Sequence, residues 1–328
     1  MKPNTLLSIT LLFLAFIGCK QNVKESVIDQ TEEDMPLAAT LLHEIPALLG
    51  EGAFWNYQSQ EFYWIDIEGK KLHIFNPTSK VNRTYSTPSR IGTVVPKNDS
   101  LAVVALEDGI YLMNTNDGSL SIVSDVEKNV TINRFNDGKC DPNGNLWIGS
   151  MHLDQSAPMG SVYKVEESGV TTKMIDSVTI SNGIVWTQDD SIMYYIDTPT
   201  GVIRAYDYDV STATISNERT AVVIDPKDGF PDGMAIDEND MLWVGLWNGD
   251  AVANYNPITG KLIRKIPVPA HNVTACAFGG PNLDKLYITT ASLDMTDEEK
   301  ARYPHAGSLF EVDPGVRGVK SHLFGTEE

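Results

Sequence analysis

Six stretches of this chain share one pattern of apolar and polar positions. They are 61–67 (EFYWIDI), 100–106 (SLAVVAL), 145–151 (NLWIGSM), 191–197 (SIMYYID), 241–247 (MLWVGLW) and 285–291 (KLYITTA). Each is rich in β-branched and aromatic residues, and most follow a turn cluster such as Asp141-Pro142-Asn143-Gly144 or Asp237-Glu238-Asn239-Asp240, which is how buried strands read. Each is preceded by a second apolar opening and followed by another hairpin, as in LHIFNPTSK from Leu72 and VANYNPITGK from Val252. The unit recurs every ~40–50 residues, the interval of propeller blades. The body of the chain has no long amphipathic helix pattern, and a β-sandwich does not account for six units of similar length. The expected fold is all-β: one six-bladed β-propeller over 39–328. Closing such a ring needs a last strand, and both 40–45 and 319–324 qualify. One short helix is predicted after Thr296, which forms a capping box with Glu299 and is stopped by Pro304.

The N-terminus breaks this pattern. After Met1-Lys2 comes a nearly continuous apolar run from Leu6 to Ile17, ending at Gly18-Cys19. That run is short for a membrane span and reads as the apolar region of a secretory leader. The ending FIGC resembles a bacterial lipobox, so 1–18 is read as a lipoprotein signal peptide and Cys19 as the lipidated residue. Residues 19–38 are polar and read as a flexible tether. The expectation is an exported lipoprotein of the bacterial cell envelope, periplasmic or at the surface, touching membrane only through its N-terminal lipid anchor. The formal net charge of −19 over 328 residues opposes a phosphate backbone and argues against nucleic-acid binding. Cys140 and Cys276 fall in the third and sixth repeats, too far apart in a ring to bridge. They read as two buried thiols without a cationic neighbour to activate them.

Against this apolar frame, three repeat openings carry an oxygen-bearing side chain at the same place: Glu51 in GEGAFW, Asn182 in SNGIVW and Asp232 in PDGMAI. In a propeller the start of a blade's first strand and the end of its second lie at one end of the central channel. Glu51, Arg134, Asn136, Asn182 and Asp232 begin first strands, whereas Asp154, Trp247 and Asn248 follow second strands, so all should crowd one mouth. Unpaired carboxylates in a narrow channel are costly, and two carboxylates with an amide suit a hard divalent cation. Ca²⁺ fits best, with Mg²⁺, Mn²⁺ or labile Zn²⁺ as substitutes; the absence of thiolate and His from the set opposes structural zinc. The competing explanation is turn chemistry, since Asn-Gly and Asp-Gly pairs are common in turns.

The segments GEGAFWNYQSQEFYWIDIEGKKLHIFNP, NRFNDGKCDPNGNLWIGSM, SNGIVWTQDDSIMYYIDT, FPDGMAIDENDMLWVGLWNG and VTACAFGGPNLDKLYITTA, taken in order, resemble successive blades of the SMP-30/gluconolactonase/regucalcin family. The resemblance implies a six-bladed propeller that holds one divalent metal in its channel and hydrolyses a small-molecule sugar lactone. It implies Glu51, Asn182 and Asp232 as metal ligands, Asp232 also as catalytic base, and Arg134 and Asn136 as substrate-binding. Asp137 would lie near the metal's water shell. It implies a sugar contact at Asp154, where the mammalian-type pattern has the longer Glu. Two other readings use the same fold: a metal-stabilised binding propeller without turnover, and a six-bladed esterase or phosphotriesterase. The latter would draw on His152 or His271. Trp55, Trp64, Trp147, Trp186 and Trp243 are expected to pack between blades, and Trp247 to wall the pocket.

Overall fold

The computed structural model describes residues 37–325. The expected signal peptide, the lipidated Cys19 and the tether up to residue 36 lie outside the described residues. Over the described residues the chain forms six four-stranded antiparallel sheets, each a blade. The inner strands are Gly50–Asn56, Ile91–Asn98, Asn133–Cys140, Ser181–Trp186, Phe230–Ile236 and Asn272–Gly279. Each of the six apolar stretches forms the second strand of its blade, from Glu61–Asp66 in blade 1 to Lys285–Ala291 in blade 6. Inner and second strands are buried on both faces, whereas an outermost strand such as Val81–Ser86 alternates exposed and half-buried positions. Blades packed face to face need apolar residues on both sides of their central strands.

Thr40–His43 closes the ring. It pairs antiparallel with Leu309–Val312 and so supplies the outer strand of blade 6. The other candidate, 319–324, joins no sheet. It runs across the far mouth of the channel as a strap, with isolated bridges from Gly318 to Asp237 and from His322 to Cys140. Leu323 and Phe324 are buried in the core of blades 1–3. Between the strap and the blades lies a cavity of about 260 Å³, lined among others by Lys139, Trp186, Phe278 and His322.

Two turn aspartates explain the internal sequence match. Asp141 accepts from the backbone N–H of Asn143 and Asn145, from Trp147 Nε1 at 2.8 Å and from Tyr208 OH at 2.8 Å. Asp237 repeats the turn and accepts from Trp243 Nε1 at 2.8 Å. The repeated spacing from Asp to Trp is thus a carboxylate that both folds the hairpin and satisfies a buried indole. The five tryptophans expected between blades are all buried, and Trp147 and Trp186 pack edge to face. The predicted helix is Asp297–Arg302, between the second and third strands of blade 6, with the capping box formed.

Cys140 and Cys276 are free and buried, as expected. One detail differs. Lys139 stands close enough to favour the Cys276 thiolate, but burial outweighs it and pushes the thiol up to about 12.

Candidate metal and substrate site

One irregularity, repeated in every blade, builds the site. Each inner strand contains an extra residue relative to its partner near its start, between Glu51 and Phe54, Ile91 and Thr93, Phe135 and Gly138, Ser181 and Ile184, Pro231 and Met234, and Val273 and Cys276, and blade 2 has a second between Pro96 and Asn98. Such bulges re-aim side chains and leave the ladder locally open. They fall directly after Glu51 and upon Asn136, Asp137, Asn182 and Asp232. The Glu-Gly, Asn-Gly and Asp-Gly pairs therefore lie inside strands, and the turn explanation is set aside. Gly52 needs its positive φ of 64°. Gly233 needs its missing side chain, since a Cβ there would sit 2.6 Å from that of Ala275 in blade 6.

The structure brings together Glu51, Arg134, Asn136, Asp137, Asn182 and Asp232, each no more than 7 % exposed. Arg134 Nη1 donates to Asn136 Oδ1 at 2.6 Å. Asn136 Nδ2 donates to the Ser181 carbonyl at 2.7 Å and to Asn182 Oδ1 at 3.3 Å. Asn182 Nδ2 donates to Thr198 Oγ1 at 2.9 Å, and that hydroxyl donates to the Pro231 carbonyl at 2.8 Å. A relay of side chains thus ties blades 3, 4 and 5. The Glu51 and Asp232 carboxyls lie close enough to perturb each other, and the Asn182 amide stands beside Asp232. Glu51 also accepts from the N–H of Gly52 at 3.0 Å.

Burial, followed by the neighbouring negative charges, pushes both carboxyls up: Glu51 to about 8, with Asp137 the main charge, and Asp232 well above its ordinary range, with Glu51 the main charge. Burial raises Asp137 as well, against the pull of Lys139. Arg134 is lowered to about 10 by burial, offset by Glu68, Glu51 and Asp232. Lys139 donates to the Met234 carbonyl inside the channel. Two carboxylates pressed together out of water favour a shared proton or a cation.

A cation suits the residues present. Asp232 Oδ1 is buried without a hydrogen-bond partner, an orphaned acceptor of the kind that calls for one. The donors are hard oxygens. Among the described residues no group of three or more His, Cys, Asp or Glu is arranged to hold a metal ion, so an ion here would take the Asn182 carbonyl oxygen as its third protein donor.

The pH dependence follows from the raised carboxyls. In chelated protein the folded state keeps a proton on Glu51 that the unfolded chain releases. That contribution to stability is fully present below about pH 4.5 and is lost as pH rises through about 8. Asp232 acts in the same direction. Denaturant titrations of chelated protein are expected to show stability falling across this window, with Glu51→Gln flattening the fall. An identical slope in that variant would contradict the pairing.

Other expected residues sit outside this ring. Asp154 is exposed on the loop after the second strand of blade 3, its backbone N–H on His152 Nδ1 at 3.1 Å. Trp247 ends the second strand of blade 5, half-buried, and the N–H of Asn248 bonds Asn272 Oδ1 at 3.3 Å. His152 ends its strand half-buried. His271 is bound to Asp250 at 2.6 Å and stacks on Tyr303. Neither histidine is among the buried ring residues. Sequence reasoning missed Thr198 and Lys139. Thr198 follows the second strand of blade 4, the position class already used for Asp154, and that signal was available.

Comparison with known proteins finds relatives of the same architecture. Residues 49–292 match the profile of a family described as SMP-30/Gluconolactonase/LRE-like region. The Bacillus subtilis protein YvrE, named as a sugar lactone lactonase, is 41 % identical over 282 residues, covering 86 % of this chain and 97 % of its own. Regucalcin of Danio rerio is 33 % identical over 279 residues, covering 84 % and 94 %. A solved structure of the calcium-binding protein regucalcin from Agrobacterium tumefaciens superposes with a TM-score of 0.85 at 29 % identity, covering 89 % of this chain and 98 % of the other.

Proposed function

The chain belongs to the SMP-30/gluconolactonase/LRE-like family, and from that premise we propose that it is a lactonase that opens sugar lactones with one divalent cation. The observation that carries the reading is the contact of two buried carboxyls, Glu51 and Asp232, with the orphaned Asp232 Oδ1 beside the amide of Asn182. The name of the Bacillus subtilis relative supports the substrate class, and the calcium-binding regucalcin structure supports Ca²⁺ as the cation.

Glu51, Asn182 and Asp232 would hold the ion. When bound, it supplies Lewis-acid polarisation of a carbonyl and offsets the charge that develops on its oxygen. The remaining work falls to the side chains. Asp232 takes the proton of the attacking water as general base, from its place beside Glu51 and Asn182. Arg134 adds positive charge beside the developing oxyanion. Its Nη1 is committed to Asn136 and to the Phe135 carbonyl, which leaves its other N–H donors for substrate oxygen. Asn136 holds Arg134 and Asn182 in register through both ends of its amide, and burial of the ring excludes bulk water. Asp154, on the exposed loop, is a contact for a substrate hydroxyl. The apolar run at 6–17 and Cys19 support export as an envelope lipoprotein.

The test is turnover of δ-gluconolactone and related sugar lactones by chelated protein, before and after addition of Ca²⁺, Mn²⁺ or Zn²⁺. Hydrolysis is expected only with a cation added. No hydrolysis of any lactone overturns the enzymatic reading in favour of a binding propeller, and undiminished hydrolysis after chelation overturns the metal.

A further inference from the structure

We propose that Glu68 is a specificity-determining residue of the lactonase site: its carboxylate, held in place by Arg90, accepts a hydrogen bond from a hydroxyl of the lactone on the side of blades 1 and 2. The proposal rests on the lactonase reading and adds to it a residue that reads the hydroxyls of the substrate.

Within two residues of the end of a second strand, blades 1, 2 and 3 each carry a carboxylate: Glu68 after Glu61–Asp66, Glu107 after Leu101–Leu106 and Asp154 after Leu146–His152. The same two positions hold Thr198 and Pro199 in blade 4, Asn248 and Gly249 in blade 5, and Ser292 and Leu293 in blade 6. The acidic arc is therefore one-sided. It lies at the end of the channel that holds the ring, because Asp66 pairs with Gly50 beside Glu51, and His152 pairs with Asn133 beside Arg134.

Two observations bring Glu68 to the ring itself. The first is the approach of blade 2 to blade 3. A Cβ on Gly92 would sit 2.6 Å from the carbonyl of Phe135, so the two inner strands run against each other at the ring. Arg90 lies two residues nearer the mouth, at the level of Asn133 and Arg134. Its Nε donates to Glu68 Oε1 at 2.8 Å and its Nη1 to Glu107 Oε1 at 2.9 Å. All three side chains are half-buried. The second is the charge felt by Arg134. Glu68 does more to hold that guanidinium ionised than Glu51 or Asp232, and Arg90 opposes it. The influence of a charge falls with distance, so the Glu68 carboxylate borders Arg134.

An ion pair at a rim adds little to stability, and pinning a loop needs no cluster of three charges. A carboxylate fixed by a planar guanidinium is a prepared acceptor for a hydroxyl. Arg90 occupies Oε1, and the carboxylate keeps further lone pairs. A lactone whose carbonyl lies at Arg134 presents its hydroxyls to the neighbours of Arg134, and Glu68 is one of them. A lactone without hydroxyls would cover the carboxylate and leave it without a partner.

The experiment compares kcat/KM for δ-gluconolactone and for δ-valerolactone, which has the same ring without hydroxyls. The parent is expected to prefer δ-gluconolactone at least about tenfold. Glu68→Ala is expected to lower that ratio about tenfold. Glu68→Gln keeps an acceptor without the charge, is expected to lower it about threefold, and serves if the alanine variant does not fold. The ratio is internal to each preparation and cancels any loss of folded protein. Glu107→Gln, which leaves the pair of Arg90 and Glu68 in place, is expected to move it less than twofold. A ratio unmoved in both Glu68 variants, an equal fall in Glu107→Gln, or a parent without preference for δ-gluconolactone overturns the role of Glu68 and leaves the lactonase reading standing. Failure of the parent to open either lactone overturns the lactonase reading and the role of Glu68 with it.

Discussion

Asp232→Ala is expected to abolish lactone hydrolysis and the thermal stabilisation conferred by a divalent cation, yet to leave chelated protein at least as stable as the parent. The first two effects follow from the place of Asp232. Its carboxylate is buried, stands beside Glu51 and Asn182, and leaves Oδ1 unpartnered. It is the residue proposed both to hold the ion and to accept the proton. Removing both roles is expected to lower kcat at least a thousandfold, or about 4 kcal/mol of transition-state stabilisation. The third effect has the opposite sign because, without a cation, Glu51 and Asp232 oppose each other's ionisation in a site that already penalises charge. Deleting one carboxyl relieves that conflict. Melting curves with and without Ca²⁺, beside a lactone assay, read all three. Full activity in the variant, or a Ca²⁺-induced shift equal to the parent's, would refute the assignment. A large loss of stability in the chelated variant would show that the pair is held by favourable contacts and not by a missing ion.

The second large effect is structural. Asp141→Ala is expected to destabilise the protein by about 4 kcal/mol. The side chain is fully buried and serves two backbone N–H groups, the Asn145 amide, the Trp147 indole and the Tyr208 hydroxyl. The turn amides regain water when it is removed. Trp147 and Tyr208 are themselves buried, and each stranded donor costs about 1–3 kcal/mol. Tyr208 belongs to blade 4 and Asp141 to blade 3, so the same change loosens a contact between blades. Asp237→Ala strands Trp243 but has no tyrosine partner, and about 3 kcal/mol is expected. Urea denaturation measures both. A loss below about 1 kcal/mol for Asp141→Ala would show that water replaces the carboxylate where the structure leaves no room for it.

Most of the fold was legible because strand identity is a local property. The runs from EFYWIDI to KLYITTA have no helical period, lie between turn-forming residues and recur at blade spacing, and each became a second strand. The capping box at Thr296 was legible for the same reason, since its bonds span three residues. Convergence of Glu51, Asn182 and Asp232 was legible through repeat equivalence. Once six units close into a ring, equal positions share one level of the channel.

The remainder depended on distant parts of the chain. Thr40–His43 and 319–324 are both short and apolar enough to close a ring. What separates them is the open edge left by Leu309–Val312, a vacancy created by the other blades. The bulges leave little trace in sequence because the extra residue shows only against a partner strand. For that reason turn chemistry competed with the metal as an explanation of Asp232-Gly233, although Gly233 is required by Ala275 of the next blade. The amino-acid order alone determined the six units, their apolar faces and the level at which the oxygen donors meet, because these follow from spacing along one chain. Tertiary structure alone decided which terminus closes the ring and how the carboxyls press on one another. Those outcomes depend on packing and electrostatics between residues tens to hundreds of positions apart.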